Sequence, residues 1–261
     1  MSLARETVHS SPALRIDIVR CRPEDGACSG IEYAPRHTLA FPLRGVFVLH
    51  HGRRDHTVAD ACQALVFHPK HPYRVSHPVE GGDDCFSIEP SPALLSEVVL
   101  PSRPAPLEAA TLAAPRLLRH RMRRGLAGPL EVEETALELL SSLSSTQEPS
   151  ATKRQAEMVE ATKLALAAQP AERWTLEALA KRVHGSPFHL ARVFRRIAGL
   201  PLHRYHLRAR LTAALAEVLD TRRELTDIAV GLGFSSHSHF TAAFRGAYGA
   251  TPSALRKRAR F

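Results

Sequence analysis

The feature that most constrains this chain is a repeated pattern of helix starts and stops in its C-terminal part. Apolar residues recur at helical spacing from Lys153 to Phe261. Seven helices are predicted there, at 153–168, 176–182, 187–197, 202–219, 227–232, 236–246 and 252–259. Thr175 can cap the second, and Ser186 before Pro187 reads as a cap with proline at the first helical position. Gly199 ends the third, and Thr226, Ser235 and Thr251 before Pro252 are further expected caps. Short helix, tight turn, cap and second helix therefore occur at 176–197 and again about fifty residues later.

Each copy predicts two helices packed across a turn. In the first, Leu176, Leu179 and Ala180 share one face, and Leu190, Val193, Phe194 and Ile197 form the core face of the next helix. The turn is expected through Gly185. That leaves Phe188, His189, Ala191, Arg192 and Arg195 on the outer faces of a helix whose N-terminus fits a major groove. In the second, Ile228, Ala229 and Leu232 face inward, Gly233 permits the turn, Phe234 plugs it, and Phe240 and Phe244 anchor the following helix. His237, Ser238, Thr241 and Arg245 remain on the outside. His237 and His239, two apart on a helix, point in different directions and make a poor metal pair.

Charge separates the same two parts of the chain. Of a net charge of +9, residues 151–261 hold 19 Lys and Arg against 8 Asp and Glu, while residues 1–150 hold 16 against 18. The positive excess is confined to the helical part, which points to a nucleic-acid or membrane partner for it; a charge serving solubility is the plainer alternative. No apolar run reaches about 18 residues, and Met1 to Ser11 lacks the apolar core of a secretory signal, so a cytoplasmic location with no membrane partner is expected. Cys21, Cys28, Cys62 and Cys85 form no C-x-x-C pair and are expected to be reduced thiols.

Residues 13–90 read as short strands. Leu14, Ile16 and Ile18 alternate with Arg15, Asp17 and Val19, Val46–Leu49 and Ala64–Phe67 are apolar runs, and Tyr73–Val75 and Cys85–Ile88 continue the series between glycine and proline turns. A small antiparallel barrel or sandwich is expected. Ser91 and Pro92 start a short helix through Val99. A proline-rich stretch and a basic run from Pro115 to Arg124 follow. A helix at 130–143 presents Val132, Ala136, Leu139, Leu140 and Leu143 on one face. The Ser/Thr-rich stretch around Pro149 marks a boundary.

Ile228-Ala229, Gly233-Phe234-Ser235-Ser236, His239-Phe240, Phe244-Arg245, Gly249, Thr251-Pro252 and Leu255-Arg256 together resemble the signature of the AraC/XylS family of bacterial regulators. Trp174 to Arg196 is similar to that family's first unit. The resemblance runs from Lys153 to the end of the sequence. It implies a seven-helix DNA-binding domain with two helix-turn-helix units joined by the long helix at 202–219, reading successive major grooves of double-stranded DNA. By position it places Phe188, His189, Ala191 and Arg192 in the first set of contacts and His237, Ser238, Thr241 and Ala242 in the second. Arg192 suits a guanine edge. Ala191 and Ala242 offer apolar contact or no readout, and Arg195, Arg196, Arg245 and Arg256 suit phosphates. Activation, with RNA polymerase as a partner, is the family's more common mode.

Arg44-Gly45-Val46-Phe47, Ala59-Asp60, Leu65-Val66-Phe67, Pro69 and Pro72 to Pro78 resemble the cupin-like sensory domains of such regulators. The expected class is α+β multidomain: a cupin-like β-barrel or sandwich at 1–105, a helical linker or dimerisation region at 106–150 supporting a homodimer, and the all-α domain at 151–261. An organic effector bounded by Phe47, Leu49 and Phe67 is the first expectation for the barrel. His50, His51, His56, His68, His71 and His77 crowd one segment, so a transition metal is the second, with His68 and His77 as candidates. A thiol sensor using Cys62 or Cys85 is a third. A metal-dependent cupin enzyme with a DNA-binding tail would need a complete ligand set, but the turn here reads Pro69-Lys70-His71 and Tyr73 stands near the place of a later histidine. A DNA-repair methyl acceptor would need a tight four-cysteine zinc site that these spacings do not offer. The chain is therefore expected not to be an enzyme.

Overall fold

Leu14–Arg22 forms the strand that its sequence predicts, the second of ten among the described residues, with Asp17 buried beside Ile16 and Ile18. The computed structural model describes residues 2–23, 29–52, 55–101, 104–144 and 151–260. Cys28 lies outside the described residues. Two compact units result, Met1–Leu107 with Ala114–Glu148, and Glu108–Ala113 with Pro149–Phe261.

The N-terminal unit holds β1 (Ser2–Ser10), β2 (Leu14–Arg22), β3 (Glu32–Tyr33), β4 (Thr38–Arg44), β5 (Phe47–His50), β6 (His56–Ala59), β7 (Gln63–Phe67), β8 (Pro72–Ser76), β9 (Asp83–Pro90) and β10 (Ala105–Pro106). One sheet runs β1-β2-β9-β4-β7-β10 and the other β3-β8-β5-β6. The pairings are antiparallel. Phe47, Leu49, Ala59, Leu65 and Cys85 form a core cluster with Val19, Phe67, Tyr73 and Val75 against it, so both sheets contribute to one interior. β9 is buried along its whole length because it lies between β2 and β4.

Three helices differ in how well the sequence foresaw them. α1 is Pro92–Leu95, with Ser91 capping it, and stops short of Val99. α2 spans Ala109–Arg123, inside the 106–150 region expected to be helical, where the sequence delimits no helix before 130. Pro115 sits inside it, where proline removes a hydrogen bond and costs about 3 kcal/mol. Burial of Leu112, Ala113 and Leu118 offsets that cost. Arg116 also donates to the carbonyl of Leu43. α3 (Pro129–Ser144) buries the predicted stripe, Val132, Ala136, Leu139, Leu140 and Leu143. Arg121 clasps Glu131 through two hydrogen bonds of 2.7 and 2.9 Å, joining α2 to α3.

The C-terminal unit contains α4 (Lys153–Ala168), α5 (Leu176–Arg182), α6 (Pro187–Ala198), α7 (Leu202–Asp220), α8 (Leu225–Gly231), α9 (His237–Tyr248) and α10 (Pro252–Arg260). Each boundary is within two residues of its predicted position. Thr152 and Gln155 complete a capping box on α4, and Thr175 and Ser186 cap α5 and α6. Two caps differ from expectation. α8 starts at Leu225, so Thr226 falls inside its first turn, and Glu224 precedes it without a side-chain cap. Ser236 caps α9 in place of Ser235, whose hydroxyl meets His239 Nδ1 at 2.9 Å. Among the described residues, no helix is long and apolar enough to cross a membrane.

Candidate nucleic-acid interface and effector cavity

Two backbone turns position the helices of the candidate interface. After α5, Val183 has φ −103° and ψ 14°, and after α8, Leu232 has φ −103° and ψ 13°. The next residue is left-handed in both: His184 at φ 51° and Gly233 at φ 75°. The Gly185 N–H then donates to Ala180 O at 2.9 Å, and the Phe234 N–H to Ala229 O at 3.0 Å. The left-handed residue of the first turn is therefore His184, not Gly185. Histidine is among the few side chains that adopt this conformation at all.

The helix after each turn has twelve residues, and both begin with a serine cap and end at a left-handed glycine, Gly199 or Gly249. On α6, Leu190, Val193, Phe194 and Ala198 are buried. Phe188, Arg192 and Arg195, at i, i+4 and i+7, form the opposite face and are exposed. Phe188 is 78% exposed, too far from any core to be an anchor. His189 and Ala191 are half-buried on the flanks. On α9, Phe240 and Phe244 are buried with ring centroids 5.5 Å apart, while His237, Ser238, Ala242 and Arg245 are exposed. Thr241 departs from expectation: it is half-buried, and its hydroxyl is shielded from solvent beside the core face.

Two other predicted cations are engaged within the domain. Arg196 donates to Gln155 Oε1 at 2.6 Å, tying α6 to the start of α4. Arg256 donates to the carbonyls of Val218 at 3.1 Å and Arg223 at 2.7 Å. Val218 lies in the last turn of α7, where carbonyls lack helical partners, so Arg256 fastens α10 to that end. Sequence reasoning missed Arg154, which is exposed beside Thr152, His184, Ser186 and His189 around a groove at the start of α6. Its position one residue into a capped helix was the available signal.

Residues 179–258 match the family model described as a helix-turn-helix domain. The chain is 36% identical over 86 residues to the bifunctional transcriptional activator and DNA repair enzyme AdaA of Bacillus subtilis, covering 33% of this chain and 41% of that protein. It is 36% identical over 84 residues to the transcriptional activator AarP of Providencia stuartii, 32% of this chain and 62% of that one. Against the regulatory protein SoxS of Escherichia coli it is 35% identical over 83 residues, and these cover 78% of SoxS. The chain belongs to the AraC/XylS family of transcription regulators. It spans less than two thirds of AdaA and of AarP, and the likeness to AdaA is confined to the helix-turn-helix part.

The family match in this AraC/XylS member lies outside the two-sheet unit, whose interior must be read from its own residues. A cavity of about 120 Å³ lies between the sheets. Phe47, Phe67, Tyr73 and Val75 line it, with Arg5, Glu32 and Asp83 among its polar groups. Leu49 packs in the core cluster and is not part of the lining. Burial and the neighbouring Glu32 push the Tyr73 phenol up to about 12, keeping it a neutral donor.

The two candidate metal ligands part company. His68 meets Pro101 O at 3.1 Å and packs against the rings of His37 and His71 at 5.3 and 5.6 Å. His77 is instead buried with Asp83, its Nε2 2.7 Å from Oδ1. Burial, followed by the charge of Asp83, pushes the Cys85 thiol well above its usual range. That is the opposite of what a reactive-thiol sensor needs. Cys62 is also buried, in the turn between β6 and β7.

Proposed function

We propose that this chain is a sequence-specific, double-stranded-DNA-binding transcription regulator, active in the cytoplasm and working as an activator. The observation that carries this reading is the matched pair of twelve-residue helices, which display Phe188, Arg192 and Arg195 and, fifty positions on, Ser238, Ala242 and Arg245. α7 joins the two units and, at 19 residues, spans about 28 Å. With the width of the flanking units this suits grooves about 34 Å apart.

The side chains divide by chemistry. Arg192 pairs with guanine O6 and N7, and Phe188 gives apolar contact such as a thymine methyl accepts. His189, Ala191, His237 and Ser238 border the bases. Arg195 and Arg245 neutralise phosphates, with Arg154 beside the first helix. The second helix, with Ala242 where the first has Arg192, reads fewer bases and contributes more through the backbone. Activation rests on AdaA and AarP, both described as activators, and RNA polymerase is the partner that activation requires.

The N-terminal unit is read as a cupin-like sensory domain at 1–105, with residues 106–150 as a helical linker, and its cavity as the place where a signal enters. The predicted stripe of α3 is buried within the chain, so a homodimer through α3 would use its other side, where Leu130 and Leu137 are exposed seven residues apart. Selection of duplexes from a random pool by the full-length protein, followed by anisotropy titration of the enriched sequence, tests the central reading. Enrichment of a site spanning two successive major grooves is expected. Recovery of unenriched DNA, bound equally well whatever its sequence, would refute it.

A further inference from the structure

The antiparallel register of β2 and β9 sets Cys21 opposite Asp83 and Val19 opposite Cys85. Cross-strand partners and residues two apart share a face, so Cys21, Asp83 and Cys85 all project into the cavity. His77 arrives just beyond β8, on the other sheet. All four are buried. Donor atoms of Cys21, His77 and Asp83 lie within 4.8 Å of one another. Cys85 Sγ is 3.3 Å from Asp83 Oδ2.

Three further facts bear on what this cluster is for. His77 has no exposed side-chain surface, and among the described residues its Nδ1 has no hydrogen-bond partner. Leaving a buried polar atom unmatched is costly unless something binds it. The Asp83 carboxylate is met by His77 at Oδ1 and by Cys85 at Oδ2, and among the described residues no Arg or Lys pairs with it. Finally, the backbone beneath the cluster is held closely. Arg22 Nη1 donates to both Cys21 O and Asp83 O at 2.9 Å, pinning the cross-strand pair. Gly82, at φ 67°, lies against the carbonyl of Cys21, where any Cβ would collide.

We propose that Cys21, His77, Asp83 and Cys85 form a binding site for one divalent transition-metal ion of the zinc class. Two sulfurs, an imidazole nitrogen and a carboxylate oxygen make a mixed soft and borderline donor set, which zinc takes in tetrahedral geometry. Bond lengths of about 2.0–2.3 Å put tetrahedral donors about 3.4–3.8 Å apart, so the donors of Cys21, His77 and Asp83, within 4.8 Å of one another, need approach by only about 1 Å. A bound cation favours the thiolate form of a coordinating thiol. Each thiol that coordinates releases one proton to solvent. The site stands on the N-terminal unit alone. If the C-terminal unit reads DNA as proposed, it also names the chemical class of the signal.

The test uses untagged full-length protein loaded with zinc or cobalt and desalted, with no DNA present. About one ion per chain is expected, and the cobalt form should show thiolate-to-metal charge transfer and intense tetrahedral visible bands. Cys21→Ser and His77→Gln should each weaken retention at least about tenfold, while His68→Gln should leave it unchanged. Cobalt bound without thiolate bands, no retained metal, or retention undiminished in folded Cys21→Ser protein would each overturn the proposal. The cobalt spectrum decides on unaltered protein even if a variant fails to fold. Loss of the metal claim leaves the DNA selection result untouched, and the reverse also holds.

Discussion

His184 and Gly233 occupy the same left-handed position in two turns that share their hydrogen bonds, with φ of 51° and 75°. A residue with a side chain costs about 1–2 kcal/mol in this conformation and glycine does not. His184→Gly should therefore stabilise the C-terminal unit by about 0.5–1 kcal/mol once glycine's greater unfolded freedom is subtracted. Gly233→Ala should destabilise it by about 2–4 kcal/mol, because its Cβ would also meet the carbonyl of Ala171. Trp174, the one tryptophan of the chain, reports both in urea unfolding. An unstable His184→Gly protein would show that the imidazole makes a contact worth more than the backbone strain.

Arg192 and Arg195 share the exposed face of α6, but they differ in expected role. Arg192→Ala should cost about 1–3 kcal/mol on the selected duplex and relax preference at one base pair. Arg195→Ala should weaken binding to all duplexes alike and lower the salt slope by about one. Anisotropy titrations at several salt concentrations separate the two, and an unchanged preference in Arg192→Ala would remove it from base reading.

Arg256 and Arg245 form a second contrast. Arg256 donates to two backbone carbonyls of its own domain, whereas Arg245 is exposed on α9. Arg256→Ala should lower unfolding stability by about 1–3 kcal/mol, with the salt slope of DNA binding preserved. Arg245→Ala should do the reverse. A reduced slope in folded Arg256→Ala protein would return Arg256 to the phosphate contacts.

His206 Nε2 and Arg210 Nε meet the same carbonyl, that of Pro170, at 2.9 and 2.7 Å. Burial, followed by the charge of Arg210, holds His206 below the ordinary histidine range. The unfolded chain then binds the proton more readily than the folded one. Stability from neutral His206 is complete above about pH 6.5 and is lost progressively as the pH falls from there toward the lowered folded value. Trp174, whose indole N–H donates to Gln169 O at 3.3 Å in the same connection, should report the change by fluorescence. His206→Gln should flatten the acid limb of a stability profile followed at Trp174; an unaltered limb would assign it to other groups.

Much of the C-terminal unit was legible in the sequence because helix punctuation is local. Ser186-Pro187, Gly199 and Thr175 act on backbone groups within one turn of themselves, and the i, i+4 spacing of Phe240 and Phe244 needs no knowledge of partners. The same locality explains the errors. Ser235 and Ser236 are both competent caps, and only the helix start decides between them. α2 has no delimited counterpart in the sequence, because Pro115 interrupts the helical signal and the burial of Leu112 and Leu118 is a tertiary effect.

What the sequence by itself determined, then, is the set of helices, the two turn-linked pairs and the outer face of α6, since each follows from spacing and chain-local hydrogen bonds. Tertiary structure alone decided which cations are engaged within the domain, because Arg196 and Arg256 find acceptors on distant helices. It also decided which histidine has metal-binding company. His68 and His77 look alike in a histidine-rich segment, but β-sheet pairing brings Cys21 to Asp83 and leaves only His77 beside them. Sheet partners are set by long-range pairing that no short window of sequence contains.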